Sequence, residues 1–249
     1  MKEKKGNQFR APEPEPPKLR IKRAAFSRLI WEEILEFAEQ RANCREQLAR
    51  INEELDELRC HADYNTGTLS MSASWCTFAI GEYFRPQTVV EVGTFIGRST
   101  VAMAWAIQPH HPGAMIYTCD GSNDIQIPAI AHVRSIGTNR IKQYPKTMAR
   151  DMFLKLRESA VLGDLAYLDG RLATDEVELL RQIIKPDAVI VLDDFEGCEK
   201  GVANAMQLVR QDSLLVYPPG RELLRSYGLR DACSTALIVP GSRLQFVAQ

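Results

Sequence analysis

The chain has 249 residues, 45% of them hydrophobic, and its 31 Lys and Arg against 32 Asp and Glu leave a formal net charge of −1. That balance excludes a globally basic binder of nucleic acid or of an anionic membrane, and the length suits one α/β domain with a full core plus an extension. No apolar run is long enough to span a bilayer, the N-terminus has no apolar signal core, and the six cysteines form no Cys-x-x-Cys pair, so the expectation is a cytoplasmic protein with reduced thiols and no membrane partner.

Residues 1–23 are rich in Lys, Arg, Glu and Pro, with Pro12, Pro14, Pro16 and Pro17 close together. Such a segment buries too little apolar surface to offset its ordering entropy and is predicted to be a mobile tail. Residues 24–60 contain neither Pro nor Gly, and Ile30, Ile34, Phe37, Cys44, Leu48, Ile51, Leu55 and Leu58 follow a 3–4 spacing interrupted by Arg41. This predicts one long amphipathic helix, or two broken near Ala42 and Asn43, forming an arm that either caps the body or pairs two copies. The length of the stripe favours a homodimer through these helices. From residue 61 onward the pattern is that of a single domain. His61 to Ser70 is a polar turn, followed by an apolar helix from Ser72 to Phe84 that ends before Pro86.

The most informative stretch is Val89-Val90-Glu91-Val92-Gly93-Thr94-Phe95-Ile96-Gly97-Arg98-Ser99-Thr100. A β-branched run, an acid, two glycines four apart and a Ser-Thr pair opening an apolar helix read as a buried parallel strand, a tight turn and a helix N-terminus. Gly93 and Gly97 let the backbone turn sharply and approach a ligand, while Glu91 can accept from an amine or hydroxyl. Residues 113–120 form a second strand ending in Asp120, at βαβ distance from the first, where an acid suits a ribose diol. After a loop from Gly121, a helical stretch to Ile136, a weak third strand near residues 140–144 and a helix over 148–160, a fourth strand ends in Asp169. A helix over 175–184 stopped by Lys185-Pro186 follows, then a fifth, fully apolar strand ending in Asp193 and Asp194. Three carboxylates at adjacent strand ends need a cation, and an all-oxygen set suits Mg²⁺, Mn²⁺ or Ca²⁺. His110, His111 and His132 read as surface or helix-face residues. The last quarter reads as a helix over 201–210, strands over 214–217 and 235–239 separated by a helical turn, and one further short strand over 244–248.

The Glu-x-Gly-x-x-x-Gly-x-Ser string resembles the first motif of class I S-adenosylmethionine (SAM) dependent methyltransferases, and the strand-end acids resemble those of the catechol-type small-molecule O-methyltransferases. It is not the Gly-x-Gly-x-x-Gly string of NAD enzymes, since position 95 is Phe. The resemblance implies an α/β Rossmann-like doubly wound, seven-stranded, mostly parallel sheet whose final strand inserts antiparallel, carrying the N-terminal helical extension. It implies SAM bound by Glu91, Gly93, Thr94, Gly97, Ser99, Asp120 and Gly121, with Asp169, Ser70 and Thr68 as neighbours. It also implies a metal on Asp169, Asp193 and Asp194 that holds a small hydroxylated substrate for methyl transfer. One departure stands out: the family's general base lies three residues past the first metal acid, and here that position is Leu172. Asp169 and His61 are then the candidate catalytic residues. A metal-independent methyltransferase, or a SAM-binding interaction protein without catalysis, are the alternatives.

Overall fold

The computed structural model describes residues 23–41, 43–59, 69–121 and 140–244. The predicted tail (1–22 of it), the helical stretch before Ile136 and the short strand beyond Leu244 lie outside the described residues, as do His61, Thr68 and His132.

The N-terminal arm is two helices, α1 (Arg23–Glu39) and α2 (Cys44–Arg59). The break falls at Asn43, whose φ of 59° is left-handed and tolerable for Asn. The apolar face of α1 is covered within the chain: Trp31, Ile34, Leu35 and Ala38 are fully buried, and the Trp31 indole donates to the Tyr217 carbonyl at 2.8 Å. Arg41, which interrupts the apolar spacing, has a structural use. Its guanidinium pairs with Glu82 and lies over the rings of Phe78 and Trp105 at 5.4 and 5.0 Å. His110 differs from its surface expectation, since its Nε2 lies 2.7 Å from the same Glu82 carboxylate.

The helix α3 (Met71–Phe84) follows, with Ser70 as its N-cap: the hydroxyl accepts from the Ala73 N–H at 3.1 Å and donates to the Ala232 carbonyl at 2.8 Å. The body then runs β1 (Thr88–Val92), α4 (Arg98–Ile107), β2 (Met115–Asp120), β3 (Ile141–Pro145), α5 (Ala149–Glu158), β4 (Gly163–Leu168), α6 (Thr174–Ile183), β5 (Ile184–Leu192), α7 (Lys200–Leu208), β6 (Ser213–Val216), α8 (Arg221–Ser226) and β7 (Ala236–Pro240). Lys185-Pro186 does not open a loop: β5 starts directly at Ile184, and Pro186 sits in its outer, less buried half.

The seven strands form one sheet in the order β3-β2-β1-β4-β5-β7-β6. The pairs among β1 to β5 are parallel, and β7 runs antiparallel between β5 and β6. The order reverses between β1 and β4, and ligands of doubly wound sheets lie at the carboxyl ends beside such a switch. Two apolar layers flank the sheet. One joins α1, α3 and α4 through Trp31, Trp75, Phe78 and Met103; the other joins α5, α6 and α7 through Phe153, Leu180 and Leu208. Among the described residues, no helix is long and apolar enough to cross a membrane.

Candidate active site

The register aligns Cys119, Val92, Leu168 and Leu192 in one row across β2, β1, β4 and β5. The next residue of each strand, namely Asp120, Gly93, Asp169 and Asp193, therefore leaves the sheet at the same edge. Backbone bonds fix that edge beyond the strands: the Gly93 N–H donates to the Cys119 carbonyl at 2.9 Å, Asp169 to Val92 at 2.8 Å and Asp193 to Leu168 at 3.0 Å. A cavity of about 600 Å³ opens above it, lined by Gly93, Phe95, Asp120, Gly121, Asp169 and Lys200 among others.

Gly93 is required by two observations at once. Its φ is +95°, and a Cβ there would lie 3.0 Å from the Asp169 Cβ and carbonyl oxygen. Phe95 also holds a positive φ, 42°, unusual for an aromatic residue, and its N–H donates to Asp120 Oδ2 at 2.7 Å. The Asp120 carboxylate is thus fixed at the rim where the sequence expects it. Gly121 lines the same wall, and a Cβ there would meet the Met148 sulfur at 2.8 Å.

Glu91, Thr94, Gly97 and Ser99 lie beneath this surface and do not line the cavity. The Glu91 carboxylate is 2% exposed. It accepts from the Ser99 hydroxyl at 2.6 Å and from Thr100 on the first turn of α4. Thr94 bonds the Thr118 hydroxyl at 2.5 Å, and Gly97, φ +85°, is the N-cap residue of α4. This set tethers the helix to the strand and holds the turn in shape. Burial raises the Glu91 pKa above the ordinary glutamate range, against the lowering effect of hydroxyl bonds from Ser99, Thr100 and Thr118. A raised native pKa means that the folded chain binds this proton more tightly than the unfolded one. That contribution to stability is complete below the ordinary glutamate value and is lost as pH rises through the raised one. Urea unfolding should therefore show the stability difference between Glu91→Gln and the parent moving in favour of the variant as pH rises above the ordinary glutamate range.

The three carboxylates expected to hold a metal, Asp169, Asp193 and Asp194, meet different partners. Among the described residues no group of three His, Cys, Asp or Glu is placed to hold a metal ion. Asp193 and Asp194 are consecutive and diverge: Asp193 is 5% exposed and accepts from the Thr235 hydroxyl at 3.2 Å, while Asp194 takes a left-handed φ of 49°. Between Asp194 and Asp169 sits the ammonium of Lys200, 2.5 Å from Asp169 and 2.9 Å from Asp194. The donor set does not fit a divalent ion while that ammonium is in place. Burial and the Asp193 charge push the Asp169 carboxyl up to about 8, against the pull of Lys200. Burial and Asp194 raise Asp193 to about 6. Burial alone would lower the Lys200 pKa, but the two carboxylates outweigh it and raise it, so Lys200 is a fixed cation and not a base.

Lys200 falls just before the helix expected over 201–210, and the sequence alone assigns it no role. A signal was present, because a lysine in the first turn of a helix opposes the helix dipole, and no acidic residue accompanies it there. Its position depends on Gly201, where a Cβ would lie 2.3 Å from the Asp193 carbonyl oxygen. Asn204, one turn along α7 and fully buried, holds the loop after β4: it donates to the Gly170 carbonyl at 2.8 Å and accepts from the Leu172 N–H at 3.0 Å. Leu172 itself is 2% exposed and belongs to the apolar core, so the position of the family's base is closed to chemistry. Replacing Asn204 by alanine leaves both backbone groups unpaired and should cost about 2–4 kcal/mol, read from the urea midpoint.

Residues 90–195 match a family model described as a methyltransferase domain. No curated protein matches the chain in sequence. Among solved structures, the chain is similar to an O-methyltransferase from Bacillus cereus in complex with S-adenosylhomocysteine (SAH), with a TM-score of 0.58 and 14% identity over 77% of this chain and 90% of that one. It is also similar to the O-methyltransferase TomG from Streptomyces achromogenes, involved in tomaymycin synthesis and in complex with SAM, with a TM-score of 0.55 and 16% identity over 86% of this chain and 98% of that one. A methyltransferase from Geobacter sulfurreducens gives a TM-score of 0.57 and 13% identity over 76% and 88% of the two chains.

Proposed function

We propose that this chain, a SAM-dependent methyltransferase of class I by its domain and fold, transfers a methyl group from SAM to an oxygen of a small hydroxylated molecule. The observation that carries this reading is the row of Gly93, Asp120 and Asp169 at one sheet edge, beneath a cavity of about 600 Å³, within the size range of small-molecule sites.

The residues fit the cofactor. Gly93, whose positive φ and close approach to Asp169 leave no place for a side chain, brings bare backbone to the cavity wall, and the anchored Asp120 carboxylate suits the two hydroxyls of a ribose. SAM supplies an electrophilic methyl: the acceptor oxygen forms the new O–C bond as the S–C bond breaks, leaving SAH. The chain's part is to place the acceptor and take its proton. Asp169 lines the cavity and, once ionised above about pH 8, takes the hydroxyl proton, which it later releases to solvent. The expected divalent metal does not fit the donor set described above, and no step passes through one. Leu172 and the tied-up Asp169 are what a SAM-binding interaction protein without turnover would also display, so binding and transfer have to be measured separately. The arm's other expected use, pairing two copies, would run over Phe26 and Leu29, which remain exposed on α1; light scattering of the purified chain tests it.

The test is methyl transfer from radiolabelled SAM to a panel of small phenols and alcohols. Label in an ether product is expected, and its formation should fall at least tenfold in Asp169→Asn. SAM binding without transfer to any acceptor would support the non-catalytic reading.

A further inference from the structure

Building on the methyltransferase reading, we propose that Lys200 is the resident cation of the site, standing where a divalent ion would have to sit and offering one N–H to a single acceptor oxygen. The argument starts from charge. Two carboxylates from adjacent strand ends, Asp169 and Asp194, meet at the edge of an apolar sheet, with buried Asp193 beside them. Such a grouping is costly without a compensating cation. The ammonium at 2.5 and 2.9 Å supplies that cation from within the chain. A divalent ion between the same two oxygens would have to displace it, and the displaced charge would remain nearby.

The placement of Lys200 is built in. Gly201 lets the start of α7 pack directly on the end of β5, the left-handed Asp194 turns its carboxylate to the ammonium, and Asn204 fastens the same helix to the loop after β4. The cost of a lysine at a helix N-terminus is accepted for a contact 31 residues away in sequence, between Asp169 and Lys200.

An ammonium has three donors, and the two carboxylates use two. Among the described residues no partner is recorded for the third, and Lys200 lines the cavity. This sets the acceptor class. A chelated metal selects adjacent oxygens on one substrate, whereas one N–H needs only one. The chain is therefore suited to acceptors with a lone phenolic or alcoholic hydroxyl, and a vicinal diol gives no advantage.

The experiment titrates Mn²⁺ into the full-length chain and into Lys200→Ala and Lys200→Arg, at mildly alkaline pH so that the carboxylates ionise. Bound metal is read from loss of the free-ion EPR signal, and SAH affinity is measured on the same samples. The parent is expected to bind no Mn²⁺ up to about 1 mM, the alanine variant to bind at least about tenfold more tightly, and the arginine variant, which keeps the charge, to bind none. Sub-millimolar Mn²⁺ binding by the parent that disappears in Asp169→Asn would overturn the proposal. So would an alanine variant that keeps its SAH affinity and gains no metal affinity. Failure of the parent to bind SAH would count against the methyltransferase reading instead, and the metal titration would still decide the role of the lysine.

Discussion

Replacing Asp120 by alanine should weaken SAH binding by about 100-fold while leaving the far-UV circular dichroism unchanged. A carboxylate that accepts from both hydroxyls of a ribose contributes about 1.5 kcal/mol or more per bond, so losing two amounts to about 3 kcal/mol, or two decades in Kd. Asp120 also accepts from the Phe95 N–H at 2.7 Å and so shapes the turn after β1. Asp120→Asn, which keeps one acceptor oxygen for that amide, separates the two contributions. It should recover part of the affinity if the turn matters and none if only the charge does. Calorimetric titration of the three proteins with SAH reads both.

The second large effect is expected at Gly201. A methyl group there would stand 2.3 Å from the Asp193 carbonyl oxygen and 3.0 Å from Asp194 backbone atoms, and backbone cannot swing aside as a side chain can. The start of α7 has to move outward. That breaks the bonds of Asn204 to the loop after β4 and draws Lys200 away from Asp169 and Asp194. Gly201→Ala should therefore cost about 2–4 kcal/mol in urea unfolding, far more than a Gly to Ala change in an exposed helix, where alanine is favoured. A cost near zero would mean that the helix is not held where Lys200 needs it.

The two effects fall on different sides of what the sequence discloses. Asp120 was legible because an apolar run that stops at an acid, one βαβ unit after a glycine turn, fixes both the strand end and its neighbour by local rules. The same logic placed Asp169 at the edge. It does not tell Asp193 from Asp194, because consecutive residues leaving a strand point apart, and the turn that follows decides which of them faces the site. Here Thr235 takes one and Lys200 the other. Position in a motif does not reveal the depth of Glu91; its partners Ser99 and Thr100 lie in the first turn of α4 and enclose it. Lys200 could be found only through a long-range contact made possible by the missing side chain at Gly201. The apolar stripe of the arm was legible as a stripe, but its partner was not, since an amphipathic face looks the same whether its own body or another copy covers it.

The account stands most directly on one measurement: calorimetric titration of the full-length chain with SAH in the presence of EDTA. Binding in the micromolar range, unchanged when Mg²⁺ replaces EDTA, is the predicted result. Folded protein that shows no SAH binding in either condition would contradict it.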